Sequence, residues 1–176
     1  MKRVKRAFKK NRKGFTLAGT LAAILILLMV TGIAAVGIPV AAEAYAKMVT
    51  SANAQVLLST TMTRLRDELG TASGVSCSGT VISFTTVEGR AASISIGDEG
   101  IQLLQQSGIA GREDEPQRLV SKEAANKDLY TSYSAVTYSG GVLAFTDLCV
   151  RKGTGDEATT ITKIDTFHVR VLTWRG

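Results

Sequence analysis

FTLAGTLAAILILLMVTGIAAVGIPVAA, residues 15–42, is the stretch that decides how this chain is organised. Its 28 residues carry no charge, and Leu, Ile, Val and Ala dominate it; the first acidic residue of the whole chain is Glu43, just beyond it. As a helix rising about 1.5 Å per residue the run would reach about 42 Å, enough to cross a hydrocarbon core of about 30 Å with some tilt. We read it as a membrane span.

Working outward, residues 1–13 hold eight basic residues (Lys2, Arg3, Lys5, Arg6, Lys9, Lys10, Arg12 and Lys13) and no acid. The chain of 176 residues has 21 Lys and Arg against 15 Asp and Glu, so 13 basic residues remain after that segment and the rest has a net charge of −2. A basic face spread over the folded part, as a phosphate-reading surface needs, is therefore missing, which disfavours nucleic-acid binding by the body. The charge belongs to topology instead. A basic segment before an apolar span stays on the cytoplasmic side of the cytoplasmic membrane and sends residues 43–176 outward, as a single-pass chain. Three readings of this N-terminus compete. A cleaved signal peptide would use Ala42-Glu43-Ala44 as its small-x-small site, but the apolar run far exceeds a signal core of about 7–15 residues. An uncleaved signal anchor fits the length and leaves the residues at the charged junction without a reason.

That junction is Lys13-Gly14-Phe15-Thr16-Leu17, and it resembles the processing site of type IV prepilins and pseudopilins. The resemblance covers residues 1 to about 70. It implies that residues 1–14 are a leader removed by a prepilin peptidase cutting between Gly14 and Phe15, with N-methylation of the new Phe15 amine. It further implies a pilin-like fold, in which a long N-terminal helix packs on a C-terminal antiparallel sheet, and a filament whose core is made by the apolar helix from Leu17 to Val40. Partners would be the prepilin peptidase and other pilin or pseudopilin subunits. Two positions depart from the family pattern. Members mostly carry Glu as the fifth mature residue, where this chain has Gly19, and Pro39 lies a few residues later than the usual helix-kinking proline. The missing Glu argues for a minor subunit over a self-polymerising major one. The segment Ala54–Leu69, ending Leu65-Arg66-Asp67-Glu68-Leu69, is similar to larger minor subunits that cap or prime such filaments.

Past the span, Tyr45, Val49, Ala52, Val56, Ser59, Met62, Leu65 and Leu69 recur at intervals of three or four, with Lys47, Asn53, Thr60, Arg64 and Asp67 opposite. This predicts an amphipathic continuation of the helix over 43–70, ended by Gly70 and Gly74. Beyond it the period becomes two. Strands are predicted at Thr80–Thr86 and Arg90–Ile96 around a Val87-Glu88-Gly89 turn, at Ile101–Gln105, and at Ser134–Tyr138 and Val142–Cys149 around Ser139-Gly140-Gly141. A last strand is predicted at Asp165–Trp174. Residues 106–133 read as loop with a short helix near Lys122–Leu129. One long helix followed by an antiparallel sheet over 71–176 is an α+β plan.

Candidate chemistry is sparse. Cys77 and Cys149 are the two cysteines. In an exported domain they either form one bond, closing a loop of about 70 residues and contributing roughly 4 kcal/mol on the chain-entropy estimate, or remain two buried thiols. His168, the one histidine, alternates within a strand and reads as a sheet residue. Glu113-Asp114-Glu115 and Asp156-Glu157 lack the alternating oxygen-ligand pattern of a calcium loop and read as solvated. With no nucleophile–base grouping and no metal-ligand spacing, we expect no enzyme and no cofactor. The expected function is a minor pilin or pseudopilin of a type IV pilus, competence or type II secretion filament. The rival is a membrane-anchored or secreted binding domain unrelated to filaments.

Overall fold

A computed structural model describes residues 17–106, 114–121, 128–153 and 155–172. The chain divides into two compact units, 1–46 and 47–176. Helix α1 (Leu17–Gly70) contributes to both. The fold is α+β, one long N-terminal apolar helix packed against antiparallel sheets.

In the first unit, helix residues 17–46 are exposed apart from half-buried Thr20. The hydroxyls in this apolar run are served by the helix itself: Thr20 Oγ1 donates to the Leu17 carbonyl at 2.8 Å and Thr31 Oγ1 to that of Leu27 at 2.9 Å. Thr20 and Thr31 therefore leave no orphan hydroxyl donor in the described part of the run, as a helix in lipid requires. Pro39 lies inside the helix and does not end it.

In the second unit the helix buries Ala54, Leu57, Leu58, Thr61, Leu65 and Leu69. This corrects the predicted stripe, of which only Leu65 and Leu69 are buried and Met62 is partly so, while Val56 is 62% exposed. The reason is geometric. At about 100° per residue a step of three falls about 60° short of a full turn. The consecutive steps Val56, Ser59, Met62, Leu65 thus carry the line about 180° round the helix. The buried set instead keeps one face. The helix ends where Leu172 N–H donates to the Gly70 carbonyl at 2.9 Å and Ala72 N–H to that of Leu69 at 3.3 Å, so the last turn is tied to the end of the sheet.

The predicted single sheet is two. The first is an antiparallel meander in chain order: β1 (Ser73–Ser78), β2 (Val81–Thr85), β3 (Ala91–Gly97), β4 (Gly100–Gln105) and β5 (Gln117–Arg118). Ile82 faces Ile94, which faces Leu103, and Ile82 and Ile94 are fully buried. The second sheet holds β6 (Leu129–Ser132), β7 (Ala135–Ser139), β8 (Val142–Lys152) and β9 (Thr159–Arg170). All three partners pair with β8, and β9 does so along its whole length, from Val142 to Lys152. Because a strand has two edges, β6, opposite 149–152, and β7, opposite 142–146, share the other edge in tandem. The β7–β8 hairpin turns on Gly140 and Gly141, with φ of 59° and 76°. Two successive positive φ values are what a two-residue turn matching strand twist demands, and glycine supplies them without steric cost.

Inner-face residues of both sheets, among them Phe84, Leu143, Phe145, Leu148, Val150, Phe167 and Val169, form one core with the helical leucines. Phe145 stacks at 6.0 Å from Phe167 and takes Tyr133 edge-on at 5.3 Å. Residues 122–127 of the predicted short helix lie outside the described residues, and Leu129 opens a strand instead. The last strand starts six residues before the predicted Asp165, at Thr159, and Trp174 lies outside the described residues.

Candidate functional site

The most distinctive surface is the helix over 17–46. Leu17 is 80% exposed and Ile33 75%, and the best 18-residue window has a mean hydropathy of 2.7 with none of it buried within the chain. A soluble chain rarely leaves so contiguous an apolar surface bare. This helix is long and apolar enough to cross a membrane. Leu17, Gly19 and Pro39 all lie on it, whereas Gly14 and Phe15, the expected processing pair, lie outside the described residues. A Cβ added at Gly32 or Gly37 would meet nothing within 4 Å, so no intrachain contact calls for glycine there.

A second candidate is a cleft of about 300 Å³ lined by Ser132, Tyr133, Ser134, Asp147, Cys149, Arg151, Thr160 and Lys163. Its chemistry is polar and interlocked. Ser134 and Asp147 share a hydrogen bond of 3.3 Å. Lys163 Nζ lies 3.7 Å from Asp147 Oδ1 and 3.0 Å from Asp165 Oδ1. The Asp165 contact first, and Asp147 with it, holds the ammonium above its ordinary pKa. Arg151 Nη2 donates to the Ala158 carbonyl at 2.9 Å. Burial pushes the Cys149 thiol up, with Arg151 opposing, Asp147 reinforcing and Lys163 opposing. A thiol held protonated, with no imidazole lining the cleft to deprotonate it, is a poor nucleophile.

Both cysteines are free thiols. Cys77, in β1, packs against the core, and burial raises its pKa. Cys149 sits between Leu148 and Val150, both fully buried, so alternation turns it to the outer face of β8. The structure thus holds the free-thiol alternative, with Cys149 on the face of β8 turned away from the core that Cys77 packs against. His168 is exposed on β9 opposite Ala144, a sheet residue as expected. Glu113 lies outside the described residues, and Glu157 ends a short 3-10 turn. Among the described residues no group of three or more His, Cys, Asp or Glu could hold a metal ion.

Sequence spacing does not reveal the cleft, although one signal marks its place. Phe145 and Leu148 are three apart in a strand, which breaks the period of two and marks Thr146-Asp147 as irregular; Asp147 has φ of 53°. No family model, no curated protein and no solved structure matches the chain.

Proposed function

We propose that the chain is a minor pilin or pseudopilin, a structural subunit of a type IV pilus, competence or type II secretion filament. The observation that carries the reading is one of sequence and structure together. The Gly14-Phe15 junction stands directly before an uncharged apolar run, and the helix formed by that run ends as a core element of a β domain. A plain anchor needs no such shared helix, whereas a subunit built into a fibre through its apolar half does. Within this reading the subunit is tip-located and primes assembly. In the family a carboxylate at the fifth mature residue offsets the amino terminus of the adjacent subunit, and burying one charge alone in lipid costs about 2.5–3.5 kcal/mol on insertion scales. Gly19 has no carboxylate to offer, which is no loss to a subunit that enters first.

Intact mass tests the processing step. Co-expression with a prepilin peptidase should yield a chain beginning at N-methylated Phe15, slowed by Gly14→Val. A start at Glu43 or Tyr45, or an unprocessed Met1 chain, would leave the rival membrane-anchored or secreted binding domain. Immunogold labelling tests position, since regular signal along the shaft is incompatible with a tip subunit.

A further inference from the structure

β9 is the long open edge of the second sheet. It spans Thr159–Arg170, about 40 Å at about 3.4 Å per residue, and among the described residues its only strand neighbour is β8. It contains neither proline nor glycine, and its Thr, Ile, Phe and Val content favours the extended state. Half of its backbone hydrogen-bonding groups thus point away from β8 with no strand among the described residues to meet them. Folded proteins commonly defend such an edge with an outstanding lysine, whose charge repels an approaching strand. Lys163 sits in the right place for that defence, but Asp165 at 3.0 Å and Asp147 at 3.7 Å neutralise it.

The sequence of the edge is also complementary to itself. Two copies of β9 laid antiparallel with Ile164 opposite its own counterpart overlap from Thr159 to Val169, almost the whole strand. In that register Lys163 of each copy lies directly opposite Asp165 of the other. Since Lys163 and Asp165 already touch along one strand, they share a face, and the four groups would form a square of alternating charge. Opposite charges directly across an antiparallel pair stabilise it, and like charges there destabilise it. We propose that the β9 edge is a homodimerisation surface, joining two copies of this chain by antiparallel β9–β9 pairing centred on Ile164 and fixed in register by the two Lys163–Asp165 cross-strand pairs. The contact is isologous and closes on two copies, because each chain has one β9 edge to give. It does not depend on the filament reading.

The test is a charge-reversal set on the full-length chain in detergent, read by sedimentation velocity and crosslinking. The wild-type chain should dimerise. Lys163→Glu places two acids opposite two acids, Asp165→Lys places two bases opposite two bases, and each should weaken dimerisation by about tenfold or more. Mixing the two single variants sets an acidic edge against a basic one and should restore dimers, all of them mixed. The double variant Lys163→Glu/Asp165→Lys, which swaps the charges, should restore them alone. A monomeric wild type would overturn the proposal. So would dimers indifferent to the single substitutions, as association through the apolar helix would give, or failure of both the mixture and the double variant to recover them.

Discussion

The phenol of Tyr133 donates a hydrogen bond of 2.5 Å to the carbonyl of Thr80. Tyr133 lies between β6 and β7 and is 3% exposed; Thr80 lies in the β1–β2 turn. One side chain therefore pins a turn of the first sheet to a strand junction of the second, while its ring packs edge-on against Phe145 at the centre of the core.

Tyr133→Phe keeps the ring and removes the bond, and should lower the unfolding free energy by about 1 kcal/mol. Burial, and then the nearby Cys77, push the phenol well above its ordinary pKa. A group whose folded pKa is raised contributes stability that is complete below its unfolded value, near 10, and that is lost as pH rises toward the folded one. Denaturant titrations should find the gap between wild type and Tyr133→Phe constant at neutral pH and narrowing above about pH 10. A gap unchanged at strongly alkaline pH would separate the hydrogen bond from the titration.

The corrected helix face makes a paired prediction. Leu65 is fully buried and Val56 is 62% exposed. Leu65→Ala should cost about 2–5 kcal/mol by lost transfer energy and the cavity left behind, whereas Val56→Ala should stay within about 0.5 kcal/mol. Equal losses in thermal melts would restore the stripe that sequence periodicity suggested. Thr61 is buried but donates to the Leu57 carbonyl at 2.8 Å within its own helix, so Thr61→Val should be tolerated at about 1 kcal/mol or less.

Strand phase also predicts the behaviour of the thiols. Non-reducing peptide mapping of the β domain should recover Cys77 and Cys149 unlinked, and Cys149→Ser should change stability by less than about 1 kcal/mol. A bond between them would instead have contributed roughly 4 kcal/mol. Recovery of a Cys77–Cys149 peptide would mean that β1 or β8 rearranges.

The sequence and structure agree where one strong local signal acts alone, and part where two signals compete. The apolar run from Leu17, the period-two alternation of Ile82 and Phe84, and the Gly140-Gly141 turn each specify one conformation, and the corresponding elements are present within three residues of their expected ends. The continuation of the helix was legible but its buried face was not, because apolar residues occur on more than one side between Tyr45 and Leu69 and only the sheet beneath selects among them. β1 and β6 escaped for a related reason. Ser73–Ser78 contains three serines and a glycine and has little strand propensity of its own; pairing with β2 overrides it. The cleft on β8 was hidden because its members come from Ser132 to Lys163, brought together only by strand register.

Asp147 is, among the described residues, the one non-glycine with positive φ, at 53°. It marks the point where β8 changes phase, with Phe145 facing inward before it and Leu148 after it. Two explanations of an aspartate here make different predictions. If its charge matters most, the ion pair with Lys163 at 3.7 Å is what the residue supplies, and any neutral replacement should cost alike. Both partners are about half exposed, however, and such pairs contribute at most about 1 kcal/mol. If its backbone matters most, the left-handed region is what must be tolerated, and short polar side chains or glycine do so far better than β-branched ones. The second effect is the larger. Asp147→Asn and Asp147→Gly should therefore remain within about 1 kcal/mol of wild type, while Asp147→Val should lose about 1–3 kcal/mol and disturb the β8–β9 ladder around Ile164. Chemical denaturation of the three variants decides between the two, since equal losses for Asn, Gly and Val would assign the position to its charge.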